Sequence, residues 1–205
     1  MKTIDERIFT MCSEHIPTTA AEDTKPSLSR RTLIRGASAA VVAGGALLGG
    51  AVPALAATSQ NGWPASEKLP LTAIKVGKAD FPPGVLKGNV AVVLTYVAQQ
   101  FNAHVEPLHD GWCWGFSYRK ISGSTQYSNH SSGTAIDCNA PDHPLGKEGT
   151  FTKAQVAAIH KIISYCDGVV RWGGDYNGRK DEMHFEINVG PSSPKLPALV
   201  KKIKG

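Results

Sequence analysis

The 205-residue chain has four cysteines and no C-x-x-C pair. Cys12 falls in a leader considered below, and Cys113, Cys138 and Cys166 stand far apart. A cysteine-held zinc knuckle needs closely spaced pairs, so this spacing argues against one. Outside the cytoplasm an odd number of thiols permits one disulfide and one free cysteine, and the sequence does not say which two would pair. Runs of like charge are also scarce. Lys plus Arg (22) exceeds Asp plus Glu (17) for a net charge of +5, yet the lysines are scattered. The single cluster, Lys201-Lys202-Ile203-Lys204, is explained as well by a solvated helix face as by nucleic acid, so no nucleic-acid partner is expected. No internal repeat is present, and a monomer is expected.

One long apolar run does occur, and it lies near the N-terminus. Arg30-Arg31 stands just before an uncharged stretch from Gly36 to Ala57, rich in Ala, Gly, Val and Leu, which ends in Ala54-Leu55-Ala56. An A-x-A site after such a stretch reads as an export signal, with residues 1–56 as leader and Ala57 as the new N-terminus. The paired arginines resemble a twin-arginine signal. The alternative is a retained anchor, since roughly 20 apolar residues can span a bilayer; the glycines and Pro53 weaken a spanning helix. Cleavage would leave one compact domain without a stable membrane anchor.

Residues 57–84, rich in Pro, Gly, Ser and Lys, read as an irregular segment preceding a domain over 85–205. Val90, Val93, Leu94, Val97 and Phe101 recur at helical spacing and predict a helix ending near Asn102. Trp112, Trp114, Phe116 and Tyr118 alternate as in a strand. Residues 134–139 predict a short strand with Ala135 and Asp137 on one face and Ile136 and Cys138 on the other. Thr152 and Gln155 have capping-box spacing ahead of a helix striped by Val156, Ile159, Ile163 and Cys166, with Gly168 as its stop. Strands follow at 169–172 and 183–189, and Pro197 opens a short last helix. The pattern is α+β, a small antiparallel sheet flanked by helices.

Two blocks carry the chemistry. In the first, Ser128-Asn129-His130-Ser131-Ser132-Gly133-Thr134-Ala135-Ile136-Asp137, Gly133 permits close backbone approach and Ala135 leaves space beside His130 and Asp137. The second is Asp181-Glu182-Met183-His184-Phe185-Glu186. His130, Asp137 and His184 are nitrogen and oxygen donors of the kind zinc accepts, and three protein ligands leave a fourth tetrahedral position open, as in catalytic sites. Asp181 is free to act as general base, and Glu182 is out of phase with His184. Glu186 shares a strand face with His184, where it would orient the ligand or be a plain surface acid. His104, His109, His143 and His160 lack such context and read as surface or core histidines.

These blocks, with Arg171-Trp172-Gly173-Gly174-Asp175-Tyr176 between them, resemble the zinc D-alanyl-D-alanine carboxypeptidase and L-alanyl-D-glutamate endopeptidase family. That group includes phage endolysins and has a fold related to the hedgehog signalling domain. The resemblance spans residues 85–190. It implies that His130, Asp137 and His184 bind Zn2+ and that Asp181 activates water. Asp in place of Glu at that position points to the endolysin-like branch. The family also uses an arginine upstream of the first ligand to hold the oxyanion; Arg119 is the candidate, though closer to His130 than the family pattern, with Arg171 as the alternative. Trp172, Asp175, Tyr176 and Ser128 are expected to line the cleft, although core packing explains Trp172 equally well. The implied activity is hydrolysis of an amide bond in a peptidoglycan stem peptide by a secreted enzyme, and a mild positive charge suits that anionic polymer. The rival is a non-catalytic, zinc-stabilised wall-binding domain.

Overall fold

The helical spacing that begins at Val90 folds as α1, Asn89–His104, with Val90, Val93, Leu94, Val97 and Phe101 buried. The computed structural model describes residues 57–205, so the leader, its cleavage site and the anchor alternative lie outside the described residues. Among the described residues no helix is long and apolar enough to cross a membrane.

The capping box forms as expected: Thr152 accepts from the Gln155 backbone, and Gln155 returns a bond to the Thr152 backbone, starting α2 at Lys153–Tyr165. Cys166 caps the helix, and Asp167 and Gly168, both at positive φ, turn the chain away. The last helix, α3, is Lys195–Lys204. It opens at Lys195 with Pro197 inside its first turn, where a missing N–H sacrifices no helical bond. Both α2 and α3 pack on α1.

Four two-residue strands precede α1: β1 (Leu71–Thr72), β2 (Lys75–Val76), β3 (Ala79–Asp80) and β4 (Val85–Leu86). They pair antiparallel as β1 with β4 and β2 with β3. The stretch read as irregular is therefore more ordered than expected, because two-residue strands are too short to show a period. It also braces the later chain. Asn61 Nδ2 donates to Thr134 Oγ1 and to the Ile187 carbonyl, both at 2.8 Å, and Ser59 Oγ donates to Ser132 Oγ at 2.8 Å.

The main sheet has three antiparallel strands in the order β5 (Ala135–Asp137), β7 (His184–Ile187), β6 (Val170–Trp172). Period-two alternation sorts its faces. Ile136, Phe185, Ile187, Val170 and Trp172 join the hydrophobic core, where Phe101 meets Phe185 edge-on at 5.7 Å. The opposite face carries Asp137, His184, Glu186 and Arg171. This confirms the α+β class.

Trp112 to Tyr118 is extended but is not a ladder strand. Its hydrogen bonds are spread over several segments: Trp114 exchanges two with Asp137, Gly115 N donates to the Pro82 carbonyl, Phe116 N to Gly84 and Ser117 N to His130. The alternation of aromatics was real, but Trp112 and Trp114 are exposed. Cys113, Cys138 and Cys166 are buried free thiols, so the disulfide that their number permits is absent among the described residues.

Candidate metal centre and active site

Antiparallel register makes Asp137 and His184 direct partners across β5 and β7. His130 arrives from a single 3-10 turn, Asn129–Ser132, capped by the Ser128 side chain, which accepts from His130 N. Gly133 ends that turn at φ +65°, and a Cβ there would stand 2.7 Å from Leu86 N. Glycine is thus required both by dihedral and by space.

Asp137 Oδ1 lies 2.9 Å from His184 Nδ1 and 3.2 Å from His130 Nε2, and the two ring nitrogens are 3.1 Å apart. All three side chains are buried, and one donor atom from each lies within 4.8 Å of the others. The far nitrogens fix the tautomers. His130 Nδ1 faces the Gly115 carbonyl at 2.6 Å and His184 Nε2 faces Glu186 at 3.1 Å, both acceptors, so both outer nitrogens carry hydrogen. The inner nitrogens and the Asp137 oxygen then turn lone pairs on one point, and without a metal a proton on His184 Nδ1 relieves them. Burial opposes that proton, but the hydrogen bonds that the ring donates to Asp137 and Glu186, and the charges of those carboxylates, outweigh it and push the His184 pKa up to about 10. Burial likewise opposes ionisation of Asp137, yet His130 and His184 hold its carboxyl well below the usual range. A divalent cation would satisfy the same lone pairs, and the two-nitrogen, one-oxygen donor set fits zinc chemistry. Cys138 faces the core and supplies no ligand.

Glu186 supports this cluster from below. It is buried, accepts from Arg171 Nε and the Tyr176 hydroxyl at 2.7 Å each, and takes a close bond from Asn129 Nδ2. Burial is overcome by His184 and by the hydrogen bonds from Tyr176 and Asn129, so its pKa falls to about 2. Arg171 is thereby committed to Glu186 and to the Tyr176 ring, 4.8 Å from its guanidinium.

Asp181 lines a cavity of about 300 Å³ together with His130, His184, Ser128, Tyr176 and Arg119. Its Oδ1 is buried without a hydrogen-bond partner. Burial raises its pKa; His184, His130 and Arg119 pull the other way, while Asp137 adds to the rise. Glu182, by contrast, is occupied by Gly149 N at 2.7 Å and Thr150 N at 2.8 Å and anchors that loop. Arg119 is fixed through its backbone, whose N–H donates to Ser131 Oγ at 2.8 Å and whose carbonyl accepts from it at 2.7 Å. Its guanidinium has no ion pair among the described residues.

For Trp172 the core-packing alternative holds, and the cleft expectation for Asp175 is corrected. Trp172 is 3% exposed and lies in the core, because β6 alternation points it inward, and its Nε1 donates to the Glu182 carbonyl. Asp175 turns outward to pair with His160 at 2.9 Å. Tyr176 and Ser128 do line the cavity. His143 is a core histidine, stacked on Phe151 at 3.7 Å and bonded to Glu106 and Thr150. The sequence reading missed Arg179 and Leu145 on the cavity wall, and only Arg179's place two residues before Asp181 could have signalled it. It also missed Trp114, Pro82 and Pro83 on the far side of the site.

Residues 122–187 match the family model described as D-alanyl-D-alanine carboxypeptidase. The matched stretch contains His130, Asp137, Asp181 and His184 and leaves out Arg119 and everything before it. The match supports that family and, with it, a peptidase. No curated protein and no solved structure matched the chain.

Proposed function

We propose that the chain is a secreted zinc peptidase, exported by the twin-arginine route, that hydrolyses an amide bond in peptidoglycan stem peptides. The observation that carries this reading is the convergence of three lone pairs, from His130, Asp137 and His184, beside the partnerless Asp181 oxygen. Zinc, when bound, supplies Lewis acidity toward the scissile carbonyl and the attacking water. Asp181 accepts the proton of that water and returns it to the leaving amine; a carboxyl with a raised pKa suits both directions. Of the two candidate arginines for the oxyanion, Arg171 is committed to Glu186, whereas Arg119 lines both cavities beside His130 and pairs with the oxyanion as that charge develops. Glu186 holds His184 in the tautomer that keeps Nδ1 for the metal.

The test is incubation of the purified protein with peptidoglycan, with and without a chelator, followed by mass spectrometry of the soluble fragments. New peptide termini that vanish with chelator and return with zinc are expected. Stable zinc binding without any released fragment would overturn the enzyme reading in favour of a wall-binding domain. Free D-Ala would mark a carboxypeptidase, and new L-Ala and D-Glu termini an endopeptidase.

A further inference from the structure

The metal-ligand cluster stands between two cavities. One, of about 500 Å³, is walled by Pro82, Pro83, Trp114 and Phe116; the other, of about 300 Å³, contains Asp181, His184, Tyr176 and Arg179. Arg119 and His130 line both, so the cavities adjoin at the site. Asp181 lines only the second. The group that protonates a leaving amine must lie on the side of the residue that departs. The second cavity therefore takes the leaving residue, and the first cavity takes the acyl side.

Two arginines face the leaving-residue cavity, and neither has an ion pair among the described residues. Arg119, shared by both cavities, sits where the carbonyl must be. Arg179 belongs to the second alone. Its guanidinium rests on Gly146, where a Cβ would come within 2.9 Å of Nε, and Nη2 reaches only the Leu145 carbonyl at 3.5 Å. The backbone beside it is tied down, since Gly146 N donates to the Lys180 carbonyl at 2.8 Å. The neighbouring cation is already engaged, because Lys180 Nζ donates to the Tyr176 carbonyl at 2.7 Å. Arg179 is thus a positioned, uncommitted guanidinium, a group whose planar fork matches a carboxylate.

We propose that Arg179 binds a free α-carboxylate on the residue whose amide nitrogen leaves, and so sets the specificity of the site. This rests on the peptidase reading above. Two stem-peptide positions offer that chemistry: a C-terminal D-alanine, and a glutamate linked through its γ-carboxyl, whose α-carboxylate stays free.

The experiment uses the full-length, zinc-loaded protein and two substrate pairs. The first is a stem pentapeptide ending in D-Ala and its C-terminal carboxamide; the second is L-alanyl-D-glutamate extended through the γ-carboxyl, with its α-carboxylate free or amidated. Wild type is expected to prefer the carboxylate member of one pair by about 10- to 100-fold in kcat/KM, mostly through KM, as for a hydrogen-bonded charge, and the pair that shows this names the bond. Arg179→Gln should bring that ratio close to one, whereas Arg119→Gln should lower kcat on both members and keep the ratio. No carboxylate preference in wild type, or a preference that survives Arg179→Gln, overturns the assignment. Calorimetric binding of the same peptides separates the two readings. Carboxylate-selective binding lost in Arg179→Gln, without hydrolysis, upholds the role of Arg179 while the peptidase reading fails; binding indifferent to the carboxylate removes Arg179 as well.

Discussion

Asp137 and His184 are Cα partners across β5 and β7, and one carboxylate oxygen of Asp137 lies 2.9 Å from His184 Nδ1. When no metal is bound, that contact holds a proton, because the His184 pKa is pushed up to about 10. Metal entry must displace it. Binding of zinc near neutral pH is expected to release ~1 proton, and apparent affinity should rise about tenfold per pH unit across the neutral range. Calorimetry in buffers of different ionisation enthalpy measures the release. The sign for stability runs opposite: a raised histidine pKa stabilises below about 6.5, and that stability is lost as pH climbs through about 10. With chelator present, the protein should therefore weaken as pH rises over this window, and a flat profile would count against the protonated His184.

Glu186 fixes the orientation of His184 without touching the converging donors. Glu186→Gln keeps the size of the side chain but gives up the charge that Arg171, Tyr176 and His184 share. Zinc affinity should fall by about 10- to 100-fold, the usual effect of losing a partner behind a ligand. Competition with a chelating dye reads it directly. An unchanged affinity would reduce Glu186 to a structural anchor for Arg171.

Asp181 is expected to separate binding from turnover. Asp181→Asn should retain zinc while activity on peptidoglycan drops by roughly 10²- to 10⁴-fold, the range for loss of a positioned acid-base group. The same variant has a stability signature. Because burial raises the folded-state pKa of Asp181, its carboxylate penalises the fold above that pKa, and the penalty disappears as pH falls toward the unfolded value. With chelator present, the Asn variant should be the more stable protein near neutrality, with its advantage fading in acid. Urea denaturation at the two pH values tests this, and the titrations of His184 and Asp137, common to both proteins, largely cancel.

Two of the three candidate ligands were legible from strand alternation, which puts Asp137 on one face of β5 and His184, with Glu186, on one face of β7; His130 comes instead from a 3-10 turn and was legible only through the motif around it. The same period-two rule decides between the two readings left open for Trp172: its position on β6 sends it to the core face, although its neighbours in sequence, Gly173 to Tyr176, look like cleft chemistry. Arg179 was not legible, since its significance depends on Gly146 and Leu145, more than thirty residues earlier in the chain. The paired strands before α1 were hidden for a different reason, as their order comes from pairing over two residues and not from any pattern within them.

Gly133 joins the fold to the site, and its replacement should affect both. At φ +65° an alanine is strained, and its Cβ would meet Leu86 N at 2.7 Å, a backbone atom that cannot rotate aside. That same N–H donates to the Gly133 carbonyl at 2.8 Å, holding β4 against the turn. Gly133→Ala should cost about 1–3 kcal/mol in urea denaturation. Asparagine tolerates the left-handed dihedral better but brings the same Cβ, so Gly133→Asn distinguishes the two causes: a loss as large as that of alanine assigns the cost to the contact with Leu86, and a much smaller one to the dihedral. In either case the backbone must shift next to His130, whose carbonyl accepts from Gly133 N at 3.0 Å, so zinc affinity should fall together with stability. Full zinc affinity in a destabilised Gly133→Ala protein would show that the turn holding His130 is not set by Gly133.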